Sequence, residues 1–201
     1  MMSPYFESLI KNSLTVLADE PDDASAMVWS EAEASAELEN SDKAIYKLDL
    51  IDKEVLLEEI EDLLAYDGIR KVKELWLDRN EFGNEGVEVL ANSSQLEKIL
   101  VLSLAHNKLT NYSAQSIAVS PYLSQLQKLF LQGNQVGLEG LKALTESETL
   151  SNLKLLYLNL NPIGSAGAKI LAGDSNLQSL EELYLQQSGL ALEGVKALCE
   201  S

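Results

Sequence analysis

A pair of leucines separated by one residue returns at a fixed interval along most of the chain. The pairs are Leu48/Leu50, Leu75/Leu77, Leu102/Leu104, Leu129/Leu131, Leu156/Leu158 and Leu183/Leu185, and each step is 27 residues. Three residues beyond the second leucine stand Asn80, Asn107, Asn134 and Asn161, with Lys53 in the first copy and Ser188 in the last. Two positions further runs an apolar column of Val55, Phe82, Leu109, Val136, Ile163 and Leu190. A second apolar column holds Leu63, Leu90, Ile117, Leu144, Leu171 and Leu198, and a third holds Leu96, Leu123, Leu150 and Leu177. A unit this short cannot bury its apolar face alone, so successive units must stack and share one continuous core.

Each column has a physical cause. The Leu-x-Leu stretch alternates, so both leucines point inward and the residue between them points out, as in a short strand. The asparagines can bond backbone groups of the neighbouring turn, where the chain leaves the strand and ladder partners run out. Asn80, Asn107, Asn134 and Asn161 are therefore read as structural, and Ser188 at the open end is expected to be nearly silent. Gly83, Gly137 and Gly164, with Gly86, Gly140, Gly167 and Gly194, relax the backbone where a helix begins. Residues 86–91 carry apolar side chains at helical spacing. In the third copy Thr110 and Ser113 replace glycine, so that turn is expected to differ.

The stretch Leu75-Trp76-Leu77-Asp78-Arg79-Asn80-Glu81-Phe82-Gly83-Asn84-Glu85-Gly86, with its equivalents at 102, 129 and 156, resembles the leucine-rich repeat family in its ribonuclease-inhibitor-like subtype. The resemblance covers about residues 46–201 and implies six 27-residue repeats. It implies an α/β solenoid, an open horseshoe with parallel strands on the concave face and helices on the convex face. It names an architecture and not a single activity. The first and last copies depart from the pattern, as the ends of a solenoid must to shield the core.

Charge narrows the function. The chain has 32 acidic and 15 basic residues, a net charge of -17, a field that repels phosphate backbones and excludes a nucleic-acid partner. Residues 1–69 hold 18 of the acids against 4 lysines. Residues 1–45 are read as an acidic helical N-terminal cap, a helical pair packed on the open edge of the first repeat. Its first helix is expected from the spacing of Tyr5, Phe6, Leu9, Ile10, Leu14 and Leu17. A break at Asp19-Glu20-Pro21-Asp22-Asp23, where Asp22 or Asp23 can cap, leads to an Ala/Glu-rich helix over 24–39 and a second break at Asn40-Ser41-Asp42. No apolar run reaches the roughly 18 residues of a membrane span, and the start lacks a signal-peptide layout. The single Cys199 points to a reducing, cytoplasmic compartment.

The outward columns of the concave face are where a partner would be held. The centre column is Asp49, Trp76, Ser103, Phe130, Tyr157 and Tyr184; the column before it is Lys47, Glu74, Val101, Lys128, Leu155 and Glu182, and the column after it is Ile51, Asp78, Ala105, Gln132, Asn159 and Gln186. Aromatic rings among polar neighbours are typical interface anchors. Trp76, Asp78, Phe130, Gln132, Tyr157, Asn159, Tyr184 and Gln186 are accordingly the candidate residues for a protein partner. The plainer reading of the rings is that they cover one another and stabilise the sheet. No catalytic residue, metal or cofactor is assigned. His106 reads as a surface turn residue, Cys199 as a small packing residue, and the run Glu58-Glu59-Glu61-Asp62 as a solvated helix face without the EF-hand pattern. Two alternatives stand beside the binding module. One is a regulator of a small GTPase, suggested by the same repeat type in the GTPase-activating protein of Ran; there Arg79 is the chemically suited group, although an ion pair with Asp78 or Glu81 is its simpler role. The other is an acidic docking protein that holds a basic partner through residues 1–69. The last repeat, with Leu190, Leu192 and Leu198, is expected to support weak homodimerisation through an uncovered edge.

Overall fold

In the computed structural model, residues 2–17, 45–173 and 176–199 are described. A helix α1 (Pro4–Asn12) and a strand β1 (Leu14–Leu17) precede the repeats. The repeats then alternate β2 (Ile45–Asp49), α2 (Leu57–Ala65), β3 (Val72–Trp76), α3 (Gly83–Ala91), β4 (Val101–Ser103), α4 (Asn111–Ala118), β5 (Lys128–Phe130), α5 (Leu138–Thr145), β6 (Leu155–Tyr157), α6 (Gly164–Leu171), β7 (Glu182–Tyr184) and α7 (Leu192–Cys199). The strands form one seven-stranded sheet in chain order. From β2 to β7 the pairing is parallel, and the register aligns Leu48, Leu75, Leu102, Leu129, Leu156 and Leu183 side by side. This is an α/β solenoid, with one strand and one helix per turn.

The core follows from the periodicity. Leu75, Leu77, Leu129, Leu131, Leu156 and Leu158 are completely buried between the sheet and the helices, and each such leucine contributes about 2 kcal/mol through burial. The helices add Ile60, Leu63, Leu90, Ile117, Leu141 and Leu144 to the same cluster. Toward the last turn the cover thins, and Leu183 and Leu185 are only half-buried.

Polar columns close each turn. Asn80 donates through Nδ2 to the carbonyls of Leu50 and Leu77, both at 2.9 Å, and accepts at Oδ1 from the amides of Lys53 and Val55. Asn134 repeats this between Leu104, Leu131, Asn107 and Leu109. Asn107 donates to Leu77 and Asn161 to Leu131 and Leu158. Ser188 departs from expectation. It is buried, and its hydroxyl donates to the Leu158 carbonyl at 2.9 Å, so the last copy keeps the donor half of the asparagine's role.

Two further columns escaped the sequence reading. Asn84 Oδ1 accepts from the Thr110 amide at 3.0 Å and the Ser113 hydroxyl at 2.6 Å, and Asn111 Oδ1 accepts from the amides of Gly137 and Gly140. These side chains supply the orphan donors at the start of the next helix. The third copy therefore turns without glycine because Thr110 and Ser113 find a partner in Asn84. Ser120 and Ser147 donate to the carbonyls of Ala91 and Ala118 at the helix ends.

The N-terminal segment corrects the expected extent of the first helix. Leu14 and Leu17 do not continue α1; they lie in β1, which pairs antiparallel with β2 in the register Leu14↔Leu48 to Leu17↔Ile45. The open edge of β2 presents backbone donors and acceptors that only another strand can satisfy. Thr15 and Val16 are β-branched and suit that conformation. α1 begins at an N-cap, Ser3, whose hydroxyl accepts from the Phe6 amide at 3.1 Å, and it buries Phe6 and Ile10 in the core of the first repeat. The expected caps at Asp22 or Asp23 and the helix over 24–39 lie outside the described residues.

Candidate functional site

The centre column of the concave face forms a run of rings. Trp76 and Phe130 have centroids 5.4 Å apart, Phe130 and Tyr157 4.9 Å, and Tyr157 and Tyr184 4.0 Å with planes 8° from parallel. Adjacent strands stand about 4.8 Å apart, which sets the spacing of the last three rings. Trp76 and Phe130 are two strands apart, and they close the gap by leaning together over Ser103. Ser103 is thereby completely buried, although it belongs to the outward column. All four rings are half-buried: their faces cover one another while their edges line the groove.

Carboxylates and one cation frame the run. Trp76 Nε1 donates to Glu74 at 3.2 Å, and the Tyr184 hydroxyl donates to Glu182 at 2.8 Å. Both glutamates stand two residues before their ring, on the same face of the strand. The Glu182 carboxylate pushes the Tyr184 phenol up to about 12, with Tyr157 adding to the effect. Lys47 Nζ lies 4.5 Å from the Trp76 ring centroid and 3.0 Å from Asp49. Lys47, Glu74 and Glu182 were not among the candidate residues. The period-two alternation places all three in the outward column before the rings, but nothing in the linear sequence shows that they would contact the rings.

The column after the rings divides. Asp78 is half-buried and reaches across to the neighbouring repeat, where it accepts from the Ser103 hydroxyl and from the Ala105 amide at 2.9 Å. Burial raises its carboxyl above the usual aspartate range, against the lowering effect of those two bonds. Gln132 and Asn159 are half-buried on neighbouring strands, and their side-chain oxygens are buried without a hydrogen-bond partner among the described residues. Gln186 is exposed.

The column that precedes the asparagines also has a common geometry. Asp52, Arg79, His106, Gly133, Leu160 and Gln187 all adopt the left-handed conformation, with φ between 56° and 69°. The sequence reading took this column as free to vary, yet one sharp turn per repeat imposes the same backbone on each member. Arg79 makes no ion pair with Asp78 or Glu81 as had been expected; Glu81 pairs instead with Lys108 at 3.2 Å. His106 is exposed and lies against Gly133. Cys199, expected to pack like its counterpart Ala91, is exposed because α7 is the outermost helix described.

A family profile described as Leucine Rich repeat matches residues 68–91, 123–144, 149–172 and 176–199. The chain carries leucine-rich repeats. No curated protein matches the sequence. Among solved structures, the leucine-rich repeats align with the tropomodulin C-terminal domain of Caenorhabditis elegans at a TM-score of 0.51 and 15% identity, over 72% of this chain and 89% of that one. An internalin of Listeria monocytogenes aligns at 0.39 and 22% identity, over 64% of this chain and 39% of that one. A plant peptide hormone receptor in complex with RGF2 aligns at 0.33 and 18% identity, over 64% and 23% respectively. The likeness to the tropomodulin domain shows a shared fold. No helix among the described residues is long and apolar enough to cross a membrane.

Proposed function

We propose that this chain is a non-enzymatic protein-interaction module that grips a protein partner on its concave face, and that its repeats are of the ribonuclease-inhibitor-like subtype in six copies. The observation that carries the reading is the continuous run of half-buried rings, Trp76, Phe130, Tyr157 and Tyr184, along the centre of that face. Rings present large apolar area at a low entropy cost, and polar groups at their margin give direction to the contact. Asp49, Glu74, Glu182, Gln132, Asn159 and Gln186 form that margin. Rings and amides recognise a surface; they do not transform it. The negative field disfavours nucleic acid, and a chain with a single cysteine suits the cytoplasm.

The test is capture of partners from native lysate with the wild type and with a variant in which Trp76, Phe130, Tyr157 and Tyr184 are all alanine, the fold of both being checked by circular dichroism. Loss of captured protein by a folded variant is the expected result, and unchanged capture removes the concave-face reading. Capture that collapses between low and high salt while ignoring the rings moves the contact to the acidic residues 1–69. Weak self-association through the last repeat belongs to the same proposal, because Leu192 and Val195 are exposed beside the half-buried Leu183 and Leu185. Sedimentation as a monomer at high micromolar concentration would remove that part.

A further inference from the structure

The run of rings ends differently on its two sides. On the first side Lys47 covers the outer face of Trp76, its Nζ 4.5 Å from the centroid, and Asp49 holds it at 3.0 Å. Glu74, two residues before the ring, accepts the indole proton. The other side repeats the ring and the glutamate. Glu182, two residues before Tyr184, accepts the phenol proton at 2.8 Å. Among the described residues Tyr157 is the one ring stacked on Tyr184, and Glu182 takes part in none of the described ion pairs. Tyr184 lies on β7, the last strand among the described residues, and among them no second ring stacks on its other face.

We propose that Tyr184 and Glu182 form a subsite for a cationic side chain of the protein partner, seated on the outer face of Tyr184 as Lys47 is seated on Trp76. The inference rests on the concave-face reading and names the chemistry of the partner at one end of it. An aromatic face attracts a cation through its quadrupole. Glu182 spends one acceptor site on the phenol and has others left, since a carboxylate offers about four. The phenol stays protonated far above neutral pH and so remains a donor to Glu182. Arginine suits the place better than lysine, because a planar guanidinium can stack on the ring while its N–H groups reach the carboxylate. The acids that dominate the net charge of -17 are concentrated in residues 1–69, so the attraction at this end comes from Glu182 itself.

The experiment uses the full chain and two short peptides, acetyl-Gly-Arg-Gly-amide and its citrulline analogue, which has nearly the same shape and no charge. Their binding is followed through the ring resonances of Tyr184 and Tyr157 in a nuclear magnetic resonance titration. The arginine peptide is expected to move the Tyr184 signals while the citrulline peptide leaves them nearly still. Glu182→Gln should weaken the arginine peptide about threefold or more with no change in thermal midpoint. Equal shifts from the two peptides, or undiminished binding to the Glu182→Gln protein, would overturn the subsite. So would Tyr184 shifts that follow protein concentration and not peptide, since they would assign the face to a second copy of the chain. Partner capture lost with the rings but kept in Glu182→Gln removes the subsite and leaves the concave-face reading standing. Capture indifferent to the rings removes the wider reading, and the peptide titration at Tyr184 still reports on the subsite alone.

Discussion

Leu160 sits in the turn after β6 with a φ of 58° and an exposed side chain. A β-carbon in the left-handed region costs about 1 to 2 kcal/mol, and glycine there gives back roughly 0.5 to 1 kcal/mol through the entropy of the unfolded chain. Leu160→Gly is therefore expected to stabilise the protein by about 0.5 to 1 kcal/mol, read from the urea midpoint; a loss of stability would show that the leucine has packing the turn depends on. The reverse change at the equivalent Gly133 meets the same strained φ and places a β-carbon against His106 Nδ1, so it should destabilise. Asp78 makes a second case. Its folded-state pKa lies above the ordinary value because it is partly buried, so the folded chain holds the proton more tightly than the unfolded one and ionisation costs stability. That cost is present at neutral pH and fades as the pH falls through the raised value toward the ordinary aspartate range. Asp78→Asn keeps an acceptor for Ser103 and Ala105. It should be at least as stable as the wild type at pH 7, with an advantage that shrinks on acidification in a series of thermal midpoints. A variant less stable at pH 7 would mean that the hydrogen bonds to the charged form outweigh burial.

Between turns, the polar columns act as connectors. Asn107 and Asn134 each bridge two repeats through buried backbone groups. Removing one leaves those groups unpaired at about 1 to 3 kcal/mol, so Asn107→Ala and Asn134→Ala should each lower the unfolding free energy by that amount, read from the shift of the denaturation midpoint. Ser188→Ala loses one donor to Leu158 and should cost about 1 kcal/mol. If Ser188→Ala has no effect while the asparagines matter, the last turn is not held by its column. The asparagine column was legible because one letter repeats at one spacing. The capping column of Asn84, Asn111 and Ser165 keeps the spacing but changes its letter and is interrupted by Leu138. Its chemistry shows only where the next helix begins.

At the scale of the molecule, the solenoid has two edges to manage. β1 covers the first by antiparallel pairing with β2, and α1 buries Phe6 and Ile10 beneath it. A proline cannot donate to the ladder. Thr15→Pro combined with Val16→Pro should release β1 and leave β2 with unpaired groups, which promotes association of one copy with another. Sedimentation velocity should then show concentration-dependent oligomers beyond the weak self-association proposed for the wild type at the same concentration. A monomeric double variant would mean that α1 alone protects the edge.

The 27-residue period determined the architecture without reference to any tertiary contact. Leucines at Leu75 and Leu77, an asparagine three residues on, and helical spacing after it leave one way to bury the apolar columns, which is to stack each unit on the next. The register that aligns Trp76, Ser103, Phe130, Tyr157 and Tyr184 in one row follows from the same spacing. What the linear pattern could not contain is what side chains do across that row. Trp76 and Phe130 lean together over Ser103, Asp78 reaches across to bond it, and Lys47 settles on the free face of Trp76. Those outcomes depend on ring size, on the small residue between two large ones, and on competition for burial among neighbours that are 25 to 54 residues apart in the chain. The same holds at the N-terminus. The spacing of Leu14 and Leu17 suits a helix, but the unpaired edge of β2 made a strand the lower free-energy choice, because hydrogen bonds to an existing sheet outweigh local helical preference.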